Sequence, residues 1–207
     1  MSHPEQYDDQ AAEWSERAYA DAAAYLAHRA QLVVELGPGL EPGNEVLDLA
    51  CGDAGLGELL LAHGLRYRGV DSTFEMVEAA RARLGDRAPV EPGDLNEYVP
   101  PQPVAATTVF RGIYYARDRA AFFRHVARFT ERKLVFDLNP RQYRLDDVLR
   151  DLRAAGFGRT DLRPFFVPQT VALPRPLAGA ARALERSGPI ARLALRYRFT
   201  YLVAASR

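Results

Sequence analysis

The chain has 207 residues, enough for one α/β domain that buries most of the surface exposed by its unfolded form. Apolar residues make up 48% and charged residues 26%, which excludes a disordered or collagen-like chain. The 27 basic residues balance 27 acidic ones, so the sequence lacks the net positive field with which proteins bind DNA or anionic lipid. We predict a single domain that binds neither nucleic acid nor membrane.

The ends and the cysteine content predict a cytoplasmic protein. Cys51 is the only cysteine, so an intrachain disulfide is impossible. The first ten residues are polar and acidic and do not resemble a signal peptide, and no stretch approaches eighteen uninterrupted apolar residues.

An alanine-rich helix is predicted first, from Gln10 to Val34. From Glu45 onwards, short apolar runs alternate with helical patterns. The strand-like runs are EVLDLA, YRGVD, APVEPGD, VAATTVF and KLVFDLN. Such alternation predicts a Rossmann-like, doubly wound and mostly parallel sheet, with helices on both faces in a three-layer α/β/α arrangement.

The end of the chain departs from this alternation. Two further strand-like segments, FGRTDLRPFFVPQ and LALRYRFTYLVAAS, bring the sheet to seven strands. We expect these two segments to pair with each other, with the C-terminal strand antiparallel. Between them lies a proline-punctuated helical stretch that is too long for a hairpin turn. We therefore divide the chain into a core at 45–166, a substrate-side flap at 167–194 and a final strand at 195–207.

A glycine-bearing turn joins the first strand to a helix within Val46 to Leu60. Such a turn lets backbone approach a ligand, and the first N–H groups of the helix attract an anion. About twenty residues later Asp71 ends the next strand, where a carboxylate can accept hydrogen bonds from ribose hydroxyls. The alternative is that Asp71 only caps the helix after it. The two features together favour an adenosine-containing ligand.

The glycine spacing separates the candidate cofactors. Glycines at Gly52, Gly55 and Gly57 do not fit the Gly-x-Gly-x-x-Gly pattern of dinucleotide binders. With Asp48 before the turn, the string LDLACG instead resembles motif I of the class I S-adenosylmethionine-dependent methyltransferases. The resemblance extends through GVD and PGDL at the next two strands, and from Tyr7 to the end of the chain.

The resemblance implies S-adenosylmethionine as cofactor. It places the ribose on Asp71, the adenine beside Asp94 and Leu95, and the methionine part against the turn from Ala50 to Gly52. It also implies that residues 1–40 form an N-terminal helical lid. The cofactor-binding residues expected on this basis are Tyr7, Trp14, Asp48, Ala50, Cys51, Gly52, Asp71, Ser72, Met76, Asp94, Leu95 and Phe110.

Two alanines depart from the family pattern, because Ala50 and Ala54 stand where glycine is usual. Alanine is the smallest replacement, so close approach of the backbone to a ligand is retained. If either residue needs a positive φ, however, its methyl group costs roughly 1 kcal/mol or more.

The acceptor is expected among loops after the fourth and fifth strands. The substrate-side candidates are Arg111, Tyr114, Tyr115, Asn139, Arg141 and Tyr143. Aromatic rings there can enclose an apolar acceptor and shield a sulfonium. Arg111 and Arg141 suggest an anionic acceptor, with surface ion pairing as the alternative. No residue identifies itself as a general base.

Other motifs give weaker readings. The string VVELGPG from Val33 to Gly39 also resembles motif I but is not followed by a helix, and DLNP lacks the second proline and the aromatic residue of amino-group methyltransferases acting on nucleobases. The histidines have no metal-ligand spacing.

We therefore predict in-line methyl transfer to a small molecule, at oxygen or carbon of a secondary metabolite. The alternatives are an NAD(P)-dependent oxidoreductase, or a protein of this fold that binds the cofactor without transferring methyl.

Overall fold

The computed structural model describes residues 20–166, 173–194 and 200–207. Within them, seven strands form one sheet in the order β3-β2-β1-β4-β5-β7-β6. The strands are β1 Glu45–Leu49, β2 Arg66–Asp71, β3 Val90–Pro92, β4 Val104–Val109, β5 Thr130–Leu138, β6 Arg159–Pro164 and β7 Tyr201–Ser206.

The sheet is parallel except at β7, which pairs antiparallel with both β5 and β6. This confirms the predicted fold class, including its antiparallel C-terminal strand. Strand β1 lies between β2 and β4, and the strand order reverses there. Ligands of doubly wound sheets bind beyond the carboxyl ends of the strands at such a reversal.

Helices cover both faces of the sheet. The α-helices are α1 Ala22–Glu35, α2 Gly55–Ala62, α3 Phe74–Leu84, α4 Arg119–Ala127, α5 Leu145–Ala154, α6 Arg175–Arg186 and α7 Gly188–Ala194. Short 3-10 helices occupy Gly85–Arg87 and Ile113–Tyr115. Apolar residues of α1, α2 and α3 form one core cluster with the sheet, and those of α4 and α5 form the other. Consecutive residues of a buried strand point to opposite faces of the sheet, so Val46 of β1 belongs to the first cluster and Leu47 to the second.

Helix α1 covers most of the described part of the helix predicted from Gln10 to Val34, but it begins only at Ala22. The prediction is wrong at Ala20 and Asp21, which form a turn. Asp21 caps the N-terminus of α1 by accepting the Ala24 N–H at 3.0 Å. The second motif-like string, at Val33 to Gly39, is the end of α1 followed by a turn in which Gly37 has a φ of 71°. It is therefore a helix terminus, in agreement with its rejection as motif I.

The chain's single lysine fixes the C-terminal end of α1 to the sheet. Lys133, on β5, is fully buried and donates from Nζ to the carbonyl oxygens of Val34 at 3.2 Å and Leu36 at 2.7 Å. These carbonyls are among the groups that a helix leaves without intrahelical partners. Burial, with a smaller effect of the neighbouring Arg132, lowers the pKa of the Lys133 amine to about 7.

The segment predicted as a flap forms two helices in its described part, α6 and α7. Its role as a flap and the role of residues 1–40 as a lid stay predictions. None of the helices within the described ranges combines the length and the apolar character needed to cross a membrane.

Lys133→Met should remove a pH dependence of stability. The folded Lys133 pKa of about 7 lies below its ordinary value of 10.5, so the unfolded chain binds more protons between these values and folding is favoured as pH rises. We expect the free energy of unfolding of the wild type to rise by about 1–2 kcal/mol from pH 7 to 8.5 relative to the variant, measured by urea denaturation. Parallel pH profiles for the two proteins would contradict this assignment.

Candidate cofactor and acceptor site

A cavity of about 490 Å³ opens at the carboxyl ends of β1, β2, β3 and β4. Ten of the twelve residues predicted to bind the cofactor line it. They are Asp48, Ala50, Cys51, Gly52, Asp71, Ser72, Met76, Asp94, Leu95 and Phe110. The other two, Tyr7 and Trp14, lie outside the described residues.

The turn between β1 and α2 adopts the left-handed conformation three times. The φ angles are 61° at Ala50, 58° at Gly52 and 56° at Ala54. Both alanines at glycine positions of the family pattern thus occupy backbone conformations that disfavour a side chain, at a cost of roughly 1 kcal/mol each. Such strain persists where surrounding contacts determine the backbone, and it is frequent at ligand sites.

Asp71 holds this turn in place. Its Oδ2 accepts the Gly52 N–H at 2.9 Å, and its Oδ1 accepts the Thr73 N–H at 3.0 Å. The carboxylate therefore supports the start of α3, as the capping alternative supposed, and also lines the cavity. Burial raises the pKa of Asp71, while the hydrogen bonds from Thr73 and Gly52 act to lower it.

Asp48 is buried at the end of β1, below the turn. Thr108 donates a hydrogen bond to its Oδ1 at 2.6 Å and Tyr67 donates one to its Oδ2 at 2.9 Å. Burial raises the pKa of Asp48 to about 6 against the effect of these hydroxyls. Burial also raises the pKa of the neighbouring Cys51 thiol well above its ordinary value, which disfavours the thiolate form.

Asp94 follows β3 and is fixed by its neighbours. Its Oδ1 accepts the backbone N–H of Asn96 at 2.8 Å and the side-chain amide of Asn96 at 2.7 Å, and its Oδ2 forms an ion pair with Arg117. Partial burial acts to raise the pKa of Asp94, but the bonds from Asn96 and the charge of Arg117 hold it below its ordinary value. Asn96 and Arg117 line the cavity as well, although neither was predicted to bind the cofactor.

Arg29 of α1 is the cavity residue that the sequence analysis missed with most consequence. It is 2% exposed, and its guanidinium lies 4.3 Å from the centre of the Phe110 ring. It donates to the Tyr25 hydroxyl at 3.0 Å and lies 3.6 Å from Asp137 Oδ2. Its charge also acts to lower the pKa of Asp48. A buried positive charge therefore lies opposite a buried carboxylate in one cavity.

A second cavity of about 610 Å³ adjoins the first, and Arg111, Tyr114 and Tyr115 line both. Of the other substrate-side candidates, Asn139 lines the second cavity. Arg141 is exposed, and the Tyr143 ring lies 5.4 Å from the Arg119 guanidinium; neither residue lines these two cavities. The predicted pair of arginines is therefore represented at the cavities by Arg111 alone.

Arg111 stands at the junction of the cavities in a strained conformation. Its φ is 52°, and its backbone N–H donates to Asp137 Oδ1 at 2.8 Å. A Cβ added at the next residue, Gly112, would lie 3.0 Å from the Ala50 Cβ, so a side chain there would fit only if its neighbours shifted. The turns after β1 and β4 therefore touch each other.

No group of histidine, cysteine and acidic side chains suited to a metal ion occurs in the described part of the chain. His28 contacts Glu185 at 2.5 Å, and His125 contacts the Tyr98 carbonyl at 2.8 Å. Both histidines lie outside the two cavities.

Ala50→Gly should stabilise the protein in spite of the greater freedom of glycine in the unfolded chain. Removing the methyl group at a φ of 61° relieves strain, and we expect the free energy of unfolding to rise by roughly 0.5–1 kcal/mol. The matched control is Ala82→Gly, at an exposed position of α3, which should lower it by about 1 kcal/mol. Urea denaturation measures both, and an equal loss in the two variants would exclude strain at Ala50.

Comparison with known proteins bears on the identity of this site. The family described as "Methyltransferase domain" matches residues 46–133, which contain the turn, Asp71 and Asp94. No curated protein sequence matches the chain.

Solved structures share the fold at low sequence identity. One is a chain of the Haloferax volcanii complex between the Trm112 methyltransferase activator and a methyltransferase, with a TM-score of 0.67, 19% identity and 96% of each chain covered. Another is a TehB-like S-adenosylmethionine-dependent methyltransferase from Corynebacterium glutamicum, with a TM-score of 0.65, 14% identity, and 99% of this chain and 100% of that one covered.

A third similar structure is phosphoethanolamine N-methyltransferase 2 from Haemonchus contortus in complex with S-adenosyl-L-methionine. Its TM-score is 0.67 and its sequence identity is 15%. The match covers 100% of the present chain and 60% of the Haemonchus chain. The matched domain, the sheet order and the glycine turn agree with one another. Residues 46–133 thus match a methyltransferase domain, and the sheet has the fold of class I S-adenosylmethionine-dependent methyltransferases.

Proposed function

We propose that the chain binds S-adenosylmethionine in the first cavity and transfers its methyl group to a small molecule in the second. The observation that carries the proposal is that the two cavities meet at Arg111, Tyr114 and Tyr115. A cofactor held at the strand ends would thus have its reactive end directed at a separate chamber. That binding involves neither nucleic acid nor membrane stays part of the proposal.

The adenosine part fits the side of the cavity formed by the ends of β2 and β3. The Asp71 carboxylate accepts the Gly52 and Thr73 N–H groups, one on each oxygen, and it can also accept ribose hydroxyls from the side that lines the cavity. Buried Leu95 and Met76 offer apolar surface for the adenine ring. The rigid arrangement of Asp94 with Asn96 closes the same side.

The methionine part requires two opposite charges, and the other side of the cavity offers both. Asp48 faces the cavity with a carboxylate that suits an ammonium group, and Arg29 faces it with a guanidinium that suits a carboxylate. Both side chains are almost fully buried, so their interactions with a ligand are only weakly screened by water. The turn from Ala50 to Gly52 lets backbone approach the chain between these groups.

When bound, S-adenosylmethionine supplies a methyl carbon on a positively charged sulfur. The sulfur is the leaving group when an acceptor oxygen or carbon bonds to the methyl carbon in line with it. The residues of this chain then have to align the acceptor and exclude water, and orientation alone can supply on the order of 7–11 kcal/mol. The rings of Tyr114 and Tyr115 lie 4.4 Å apart at the junction and are about 40% exposed, so they can close over an acceptor. Arg111 would hold an anionic group of the acceptor.

The proposal is tested by ligand binding and product analysis on purified full-length protein. Asp71→Ala should weaken the binding of S-adenosylhomocysteine about 10- to 100-fold, because a charged hydrogen-bond acceptor contributes about 1.5–3 kcal/mol. The control is Asp118→Ala, which removes a carboxylate that caps α4 by accepting the Ala121 N–H at 2.9 Å, away from the cavity.

Calorimetry measures the affinities, and circular dichroism confirms that both variants fold. Mass spectrometry of mixtures with anionic and neutral hydroxylated acceptors then detects a product in which one methyl group has replaced a hydrogen atom. NAD(P)H binding without S-adenosylhomocysteine binding would favour an oxidoreductase. S-adenosylhomocysteine binding without methylated product from any acceptor would favour a protein that holds the cofactor without transfer.

Arg29→Met should separate the two ends of the ligand. We expect about a tenfold or larger loss of affinity for S-adenosylhomocysteine, and no loss for 5′-methylthioadenosine, which lacks the amino and carboxylate groups. Arg119→Met is the matched control, since Arg119 also pairs with an aspartate, Asp151, and contacts an aromatic ring. Equal losses for both ligands would show that Arg29 supports the fold and does not bind the carboxylate.

A further inference from the structure

Helix α6 is oriented opposite to an ordinary surface helix. Charged side chains of a surface helix usually face water and its leucines face the core. In α6, Glu185 is 1% exposed and Arg182 is half-buried, whereas Leu177 is 56% exposed and Leu184 is 44% exposed. The leucines are seven residues apart and therefore lie on one face.

Polar contacts fix this orientation. Glu185 Oε2 contacts His28 Nε2 at 2.5 Å, and its Oε1 accepts the Phe166 N–H at 2.6 Å. Arg182 donates to the Ala24 carbonyl at 3.4 Å. The polar face of α6 is thus attached to α1 and to the chain after β6. Rotating the leucines inward would break these bonds and leave the buried His28 without its acidic partner.

Helix α7, which contacts α6, also exposes apolar side chains, since Ile190 is 46% exposed and Leu193 is 50% exposed. Half of the eight large apolar side chains that are exposed in the described part of the chain lie on these two helices. We call this surface, formed by Leu177, Leu184, Ile190 and Leu193, the outer apolar face. A cluster of this kind is usually covered by another surface.

Charge indicates what covers it. Residues 173–194 contain four arginines and one glutamate, a net charge of +3. Residues 1–19 contain five acidic residues and one arginine, a net charge of −4, together with the apolar rings of Tyr7, Trp14 and Tyr19. The N-terminal segment is therefore complementary to α6 and α7 in both charge and apolar content.

Position and length agree with this match. Arg182 bonds to Ala24 in the first turn of α1, so α6 lies beside the point where residues 1–19 join the described chain. Nineteen residues can reach along α6, which is about 18 Å long by its twelve residues. A tethered segment also has a high effective concentration, in the millimolar range for short linkers.

We propose that residues 1–19 dock on the outer apolar face of α6 and α7. This position is an alternative to the predicted one, in which Tyr7 and Trp14 contact the cofactor. A second copy of the chain is a poorer occupant, since it would bring a +3 surface against an identical one. An anionic membrane shares the charge complementarity but lacks the tether. These two occupants are therefore outcomes of the test.

Trp14 is the only tryptophan, so its fluorescence reports on the N-terminal segment alone. The experiment compares full-length wild type with Leu177→Ser/Leu184→Ser, without cofactor. We expect a blue-shifted emission for the wild type, and acrylamide quenching that becomes severalfold stronger in the double variant. Raising the salt concentration should also increase quenching in the wild type, because opposite charges hold the segment.

The control is Val99→Ser, which removes an apolar side chain that is 57% exposed but lies outside α6 and α7. Its quenching should equal that of the wild type, and thermal melts should show all three proteins folded. Equal quenching in the wild type and the double variant would overturn the proposal. Two other results would also overturn it. One is dimerisation of the wild type in the ultracentrifuge that the double variant abolishes, and the other is sedimentation of the wild type with phosphatidylserine vesicles that the double variant abolishes.

Discussion

The site depends on the hydrogen bonds by which one carboxylate, Asp71, joins two turns. One oxygen holds the Gly52 N–H after β1 and the other holds the Thr73 N–H at the start of α3. These bonds offset part of the strain of the left-handed residues Ala50 and Ala54. Since the turn after β4 also touches Ala50, its position depends on the same bonds. Loss of the Asp71 carboxylate would therefore disturb three strand ends at once.

Buried charge is concentrated around this turn at a cost in stability. Asp48 lies among hydroxyls that satisfy it but do not neutralise it, and its pKa of about 6 shows that burial outweighs them. Because this pKa lies above the ordinary value of 3.8, the folded chain binds the extra proton, and the contribution of Asp48 to stability declines as pH rises through this range. A site optimised for stability alone would not retain such a group, and its retention accords with the ammonium contact proposed for Asp48.

The doubly wound, mostly parallel sheet and most of the first cavity could be predicted from sequence. Alternating strands and helices indicate such a sheet, and parallel strands place the residues at their carboxyl ends at one edge of it. Asp71 follows from this rule, whereas Ser72 and Asp94 were expected from the family resemblance. Arg29 could not be found in this way, since a charged residue within an alanine-rich helix reads as solvent-facing. Its burial follows from the packing of α1 over Phe110, a contact distant in sequence. Arg141 was predicted on the substrate side but is exposed, because a loop that follows the expected strand can still direct a side chain outward.

The two cavities also differ in how closely their walls are tied to the sheet. The first cavity is formed by strand ends and by the turns directly after them. Hydrogen bonds to the carboxylates of Asp71 and Asp94 hold those turns in place. The second takes its lining from the segments after β4 and β5, with Asn139 and Gln142 beyond the last hydrogen-bonded residues of β5. Residues after the strand can change without disturbing the sheet, so acceptor specificity can vary while cofactor binding is retained. Arg111 is the exception, because its strained backbone is bonded to Asp137 within β5. A change there would alter both cavities together.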